Sequence, residues 1–200
     1  MRTPLHALPL MLSLGLSGAA LADSPATGLE SSHLLPPPTS LPLTVSYFGE
    51  TLARPGLRLA TELTLARLGE HRLFVEPALG GYFHRAHSLG LFAESLMGYR
   101  HAFGPRFRME ALVGLGYLHT FVDGTVYEAR GTSTPSPVTN LGRPSVMPSA
   151  AVSFRWNLAR EASAPPSLFV RPRVFWQAPY HQGSLMHAAV EVGLTLPVSL

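Results

Sequence analysis

Nine histidines are the first residues of this chain with chemistry to offer. His84, His87, His181 and His187 fall near the ends of apolar segments, toward what would be one rim of the folded chain. Imidazoles gathered there would hold a metal or respond to pH. Their spacing is not that of a ligand set, and they read as scattered rim histidines. Gly80-Gly81 and Gly114-x-Gly116 suggest phosphate loops, but they lack the strand-to-helix turn and the lysine such loops need. Close packing is the simpler reading. Cysteine is absent, which removes any thiol nucleophile, disulfide framework or cysteine metal site. No cofactor and no metal is expected.

The charged residues carry a stronger pattern. Arg58, Glu62, Glu76, Glu94, Arg100, Arg108, Glu110, Arg155, Arg171, Arg173 and Glu191 each lie on the face opposite an aliphatic stripe. They number six arginines against five glutamates, and lysine is absent from the chain. Nearly balanced charge on one face suits an interior charge network in which the two types pair. A buried charge is costly unless it is paired and hydrogen-bonded. Arginine suits the task because its planar fork holds a carboxylate through two bonds.

The elements that must position these residues are strands. From Leu41 onward, segments of about ten residues alternate apolar with polar or small residues, the weak repeated signature of a membrane barrel. Eight such segments are predicted: Leu41 to Glu50, Leu57 to Ala66, Arg72 to His84, Leu89 to His101, Arg106 to Val122, Ser145 to Leu158, Leu168 to Ala178 and Met186 to Leu200. Leu57, Leu59, Leu63 and Leu65 oppose Arg58, Ala60, Glu62 and Thr64. Leu89, Leu91, Met97 and Tyr99 oppose Glu94, Gly98 and Arg100. Val190, Val192, Leu194 and Leu196 oppose His187, Glu191, Gly193 and Thr195.

A water-soluble antiparallel sheet shows the same alternation with its faces exchanged. Three features choose the membrane. Tyr99, Tyr117, Trp156 and Trp176 lie on the apolar face near strand ends, as an interfacial girdle does. Glycine and alanine are common on the polar face, which suits a narrow interior. The alternation of the last segment reaches the final Leu200. Composition agrees: charged residues are 14% of the chain, against about 25% in an average soluble protein. The mean hydropathy is +0.18.

Residues 1–22 read as a secretory signal peptide, with Arg2 in the basic region, Leu5 to Leu16 as the apolar core and Ala20-Leu21-Ala22 before the cleavage point. Residues 23–40, with Pro36-Pro37-Pro38, read as a disordered linker, and residues 41–200 as the barrel domain. No later run approaches the roughly 18 apolar residues of a spanning helix, so a spanning chain must cross as strands. Without Arg2 the formal charge of +3 falls to +2, too small to argue for nucleic acid.

This pattern resembles the small eight-stranded outer-membrane barrels of the OmpA and OmpX type. The resemblance covers Leu41 to Leu200 and lies in strand count, alternation and the terminal strand. It implies an all-β, antiparallel up-and-down transmembrane β-barrel in the outer membrane of a Gram-negative cell. The expected partners are outer-membrane lipid, the barrel-insertion machinery and an extracellular partner that the sequence does not name. Two departures stand out. Proteins of this class end in an aromatic residue that the insertion machinery reads, whereas this chain ends in Leu200. Pro77, Pro148, Pro172 and Pro197 fall within strands, where each removes a ladder donor.

With the N-terminus periplasmic, the connections at Thr51 to Gly56, Arg85 to Ser88, Asp123 to Pro144 and Pro179 to Ser184 face outward. Those at Arg67 to His71, Ala102 to Pro105 and Ala159 to Ser167 face the periplasm. Some barrels of the class modify lipid A, the deacylase type with a serine activated by histidine. His119-Thr120 and His87-Ser88 are the nearest pairs, and neither has a carboxylate beside it. Eight strands leave an interior that side chains fill, which argues against a pore. The expected role is structural or surface-interacting, with no evident catalytic site. A lipid A-modifying enzyme and a soluble periplasmic ligand-binding barrel are the alternatives.

Overall fold

The structure, a computed structural model, describes residues 40–50, 54–85, 88–128, 136–159, 165–180 and 183–199. The signal peptide, nearly all of the linker, His87, His181 and Leu200 lie outside the described residues. The strands are β1 (Ser40–Glu50), β2 (Gly56–Thr61), β3 (Leu63–Leu68), β4 (His71–His84), β5 (Ser88–Phe103), β6 (Phe107–Val122), β7 (Val126–Glu128), β8 (Ser136–Val138), β9 (Arg143–Asn157), β10 (Ser167–Tyr180) and β11 (Gly183–Ser199).

Hydrogen-bonded neighbours run β2, β1, β11, β10, β9, β6, β5, β4, β3, and β2 also pairs with β4. The sheet therefore closes on itself. Counting β2 and β3 as two halves of one strand, eight strands make an antiparallel up-and-down barrel. Closure is made by β1 against β11, paired from Ser40↔Ser199 to Glu50↔Ala189. Each of the eight segments expected from the sequence is found in this wall.

Two local differences have physical reasons. The second segment breaks at Glu62, with a register shift between Thr64 and Ala66. By the register on either side, Thr61, next to the break, lies across from Pro77, whose nitrogen has no proton to donate. The ladder between β9 and β10 also lapses, between Val170↔Phe154 and Arg173↔Ala151 and again between Phe175↔Ser149 and Ala178↔Val146. Pro172 and Pro148 fall in those gaps. Pro77, Pro148 and Pro172 thus interrupt the ladder on one side only and leave their own strands intact, while Pro197 stays paired, opposite Pro42. A further difference is in the longest connection, which was read as loop and carries the short hairpin β7–β8.

One end of the barrel, called here the loop end, carries the connections β1–β2, β4–β5, β6–β9 and β10–β11. The other, the terminal end, carries the start of β1, the finish of β11 and three connections between successive strands. Alternation along β5 is strict: Gly90, Phe92, Glu94, Leu96, Gly98 and Arg100 are buried while the residues between them are exposed. The exposed set is aliphatic, with Leu79 at 65%, Val113 at 61% and Leu115 at 59% of full exposure. Such a shell would expose a continuous apolar surface to water and is stable only against lipid.

Rings mark the ends of that shell. Around the terminal end, contacts run Tyr99–His71–His101–Phe103–Phe107–Trp156. At the loop end Tyr117, His119 and Phe121 follow one another on β6. Phe107 and Tyr117 are ten residues apart on that strand. At about 3.3 Å per residue and a tilt of about 40°, the belts are roughly 25 Å apart in height, which matches the apolar band of a bilayer-spanning barrel.

The interior also takes large apolar residues. Phe48, Phe92, Leu118, Met147 and Phe175 form one buried group with Tyr82 and Ala189. Phe74, Leu96, Leu112 and Ala151 form a second. Glycines make room for them. A Cβ on Gly98 would lie 2.2 Å from the Phe74 ring, and one on Gly90 would lie 2.5 Å from the Tyr82 ring. The phenyl and phenol rings thus lie flat over neighbouring-strand glycines, a device that curves and seals small barrels.

Candidate functional site

The candidate site is the charged interior. Ten of the eleven residues singled out from the sequence are buried: Arg58, Glu62, Glu76, Glu94, Arg100, Glu110, Arg155, Arg171, Arg173 and Glu191. Strand alternation points them inward, and barrel closure brings residues from seven strands together. Arg58 donates through Nε to Glu94 Oε1 and through Nη2 to Glu76 Oε1, both at 2.8 Å. Arg171 binds Glu76 with a two-bond fork, Nη1 to Oε1 at 2.6 Å and Nη2 to Oε2 at 3.0 Å. Arg173 forks onto Glu94 at 2.9 and 2.6 Å and also donates to Glu191 at 2.8 Å.

Toward the terminal end the same network continues. Arg100 donates to Glu110 at 2.6 Å and to both oxygens of Glu62. Arg155 donates to Glu110 at 2.9 Å, to Ser167 Oγ at 3.0 Å and to Thr195 Oγ1 at 2.5 Å. Arg171 reaches Glu110 at 3.5 Å, joining the two halves. Phenylalanine rings flank the cations: Arg100 lies 4.7 Å from the Phe74 centroid, and Arg155 and Arg171 lie 5.1 and 5.0 Å from that of Phe169. Five buried arginines meet five buried glutamates, so the network is neutral over these ten residues.

Arg108 stands apart. It shares the inward phase of Glu110 but is only half-buried at the terminal mouth. Among the described residues none hydrogen-bonds or ion-pairs with it.

Arg72, Glu50 and Arg54 join the interior without having been singled out in the sequence, and His187, which shares the phase of Glu191, joins them. Arg72 donates to Glu62 at 3.0 Å. At the loop end Glu50 Oε1 accepts from Arg54 Nη1 at 2.7 Å and from His187 Nδ1 at 2.5 Å. His187 had been grouped with rim histidines. It is buried, and its ring stacks on Phe175 at 4.6 Å and 1°. The available signal was strand phase, since Glu50 is in step with Thr44, Ser46 and Phe48, and Arg72 with Glu76. His84 ends β4 at the same rim.

The pair His119-Thr120 is split by the pleat. His119 faces outward and Thr120 inward, where it accepts from Gln177 Nε2 at 3.2 Å. His119 Nε2 donates to the Leu141 carbonyl at 2.8 Å, so its Nδ1 accepts from the Tyr117 hydroxyl at 2.7 Å. Both ring nitrogens are committed. Among the described residues no three histidines or carboxylates converge as a metal site.

No family model matches the chain, and no curated protein matches its sequence. Among solved structures, the barrel is similar to the outer membrane enzyme PagL at 11% identity and a TM-score of 0.50, over 78% of this chain and 99% of that one. It is matched to the N-terminal barrel domain of Pseudomonas aeruginosa OprF at 14% identity and a TM-score of 0.42, over 79% and 98%. It is matched to Neisserial surface protein A at 10% identity and a TM-score of 0.43, over 80% and 95%. The likeness at 0.50 bears on the fold, which is that of the small outer-membrane barrels.

Proposed function

We propose that this protein is a closed, non-conducting barrel of the Gram-negative outer membrane, with a structural or surface-interacting role. The observation that carries the reading is the combination of an aliphatic outer shell with an interior filled by paired charges and phenyl rings. A filled interior leaves no aqueous path through eight strands. Work must then be done at the surfaces, and the β6–β9 connection with its β7–β8 hairpin is the largest.

On this reading residues 1–22 are an export signal, residues 23–40 tether the barrel, and the insertion machinery and outer-membrane lipid are its first partners. The eleven charged residues serve as the plug, with Arg108 at its margin. A lipid A-cleaving role has less support, because a hydroxyl nucleophile needs a free histidine nitrogen beside it, and both nitrogens of His119 are engaged.

The test is expression of the full chain in a Gram-negative host, followed by detergent gels of isolated outer membranes with and without boiling. A membrane-borne band that shifts on boiling, and no single-channel steps from the purified protein in planar bilayers, are expected. A soluble, non-shifting product would overturn the reading and put a ligand in an apolar core instead.

A further inference from the structure

Among the described residues, the terminal mouth of the barrel holds more arginines than carboxylates. Register sets arginine against arginine across the strands there. Arg67 is paired with Arg72, Arg72 with Arg100, and Arg108 with Arg155. Like charges directly opposite one another destabilise a sheet unless something lies between them. Among the described residues only Glu62 and Glu110 point inward among these five arginines, and both are fully used. Glu62 serves Arg72 and Arg100, while Glu110 serves Arg100, Arg155 and Arg171. Glu70, in the exposed β3–β4 turn, accepts through its backbone carbonyl from Ala102.

Arg108 is the residue this arrangement leaves over. Arg100, Arg72 and Arg155, all of its own sign, act on it, and Glu62 opposes them only in part. It is half-buried, so water screens it only in part. Arg72, two strands away at the same mouth, keeps a quarter of its side chain exposed, at 24%. Two guanidinium groups thus face a mouth open to solvent, backed by buried cations, with donors to spare.

We propose that this mouth is a binding site for a phosphate group, held by Arg108 and Arg72 with Arg67 at the lip. The arginine fork matches phosphate oxygens through paired charge-assisted bonds, and a bound dianion would neutralise the row of like charges. The phosphate comes either from a free phosphate compound on that side of the membrane or from the headgroup of an anionic lipid in the adjoining leaflet. The inference rests on the barrel geometry and not on the protein's cellular role.

The test uses the full barrel, refolded in a neutral detergent without phosphate, titrated with inorganic phosphate and with pyrophosphate against sulfate and chloride at matched ionic strength. Calorimetry is expected to show saturable phosphate binding. Arg108→Gln should bind about tenfold more weakly, the loss that follows removal of a charge-assisted pair. Arg106→Gln, which removes the same charge from the exposed β5–β6 turn, should bind as the parent does. Arg108→Gln should also keep its shift on boiling, because that side chain supports no other residue.

A parallel titration with phosphatidylglycerol in mixed micelles separates the sources. Arg108-dependent binding of the lipid alone assigns the site to a headgroup, and such binding of the soluble anions assigns it to a free phosphate. Binding no tighter than that of chloride in both arms overturns the site. Equal weakening by Arg106→Gln and Arg108→Gln overturns it too, since that would be general attraction to a basic end.

Discussion

Arg171 has Glu76 on one side at 2.6 Å and Glu110 and Glu191 at 3.5 and 3.6 Å on the others. None of these groups reaches water, so each is stable only through its partners. Removing one partner strands the rest, at a cost of about 3–5 kcal/mol. Arg171→Met should therefore lower the barrel's unfolding free energy by about that amount in urea titrations in detergent, whereas Arg108→Gln should cost almost nothing. A small effect of Arg171→Met would mean that water penetrates the network. Sterics gives a second residue-scale prediction. A side chain at position 98 has no room above Phe74, so Gly98→Val should destabilise by about 1–3 kcal/mol through overpacking. Pairing it with Phe74→Ala should recover part of the loss, and no recovery would place the strain elsewhere.

Strands behave as units because the pleat assigns every second residue to lipid. β6 shows this near mid-height, with Val113 outward and Leu112 inward between two ring belts. Val113→Arg should cost about 2–4 kcal/mol in lipid and Leu68→Arg, at the barrel's end, about 0–1 kcal/mol. Equal costs at the two positions would mean that the shell does not face a bilayer. The β6–β9 connection is a different kind of element. Its hairpin pairs only with itself, in a two-stranded sheet separate from the wall. Replacing residues 123–139 by a short turn should leave the boiling shift intact. The replacement must stop before Asn140, whose Oδ1 accepts from the Gly142 amide at 3.1 Å and holds the segment that covers His119.

The whole molecule is a ring whose ends meet through β1 and β11, and that closure turns a string of half-polar strands into an enclosed plug. Contacts such as Arg171 with Glu76 and Arg173 with Glu94 join residues 95 and 79 positions apart. They can form only once the sheet has closed. Folding should accordingly be cooperative, with the boiling shift and interior tryptophan-independent probes such as amide exchange lost together on heating. Separate transitions for the β1–β4 and β9–β11 halves would show that the halves fold independently.

Strand number, strand phase and the burial of charge opposite the aliphatic stripe were legible in the sequence, because a period of two along a strand is a local property that each ten-residue segment carries by itself. The prolines were legible as interruptions for the same reason, since the missing proton belongs to the residue. Partnership was not legible. Which glutamate each arginine meets depends on register and on the stagger of the closed ring, and these connect residues far apart in the chain. The inward phenylalanines escaped notice because a phenyl ring suits either face until a glycine on the next strand gives it room. The phase of His187 was legible, but its partner Glu50, 137 positions away, was not. Arg108 had the phase of the network but not its position. Only the tertiary structure, by placing it one step beyond the last carboxylate, decided that it faces the mouth.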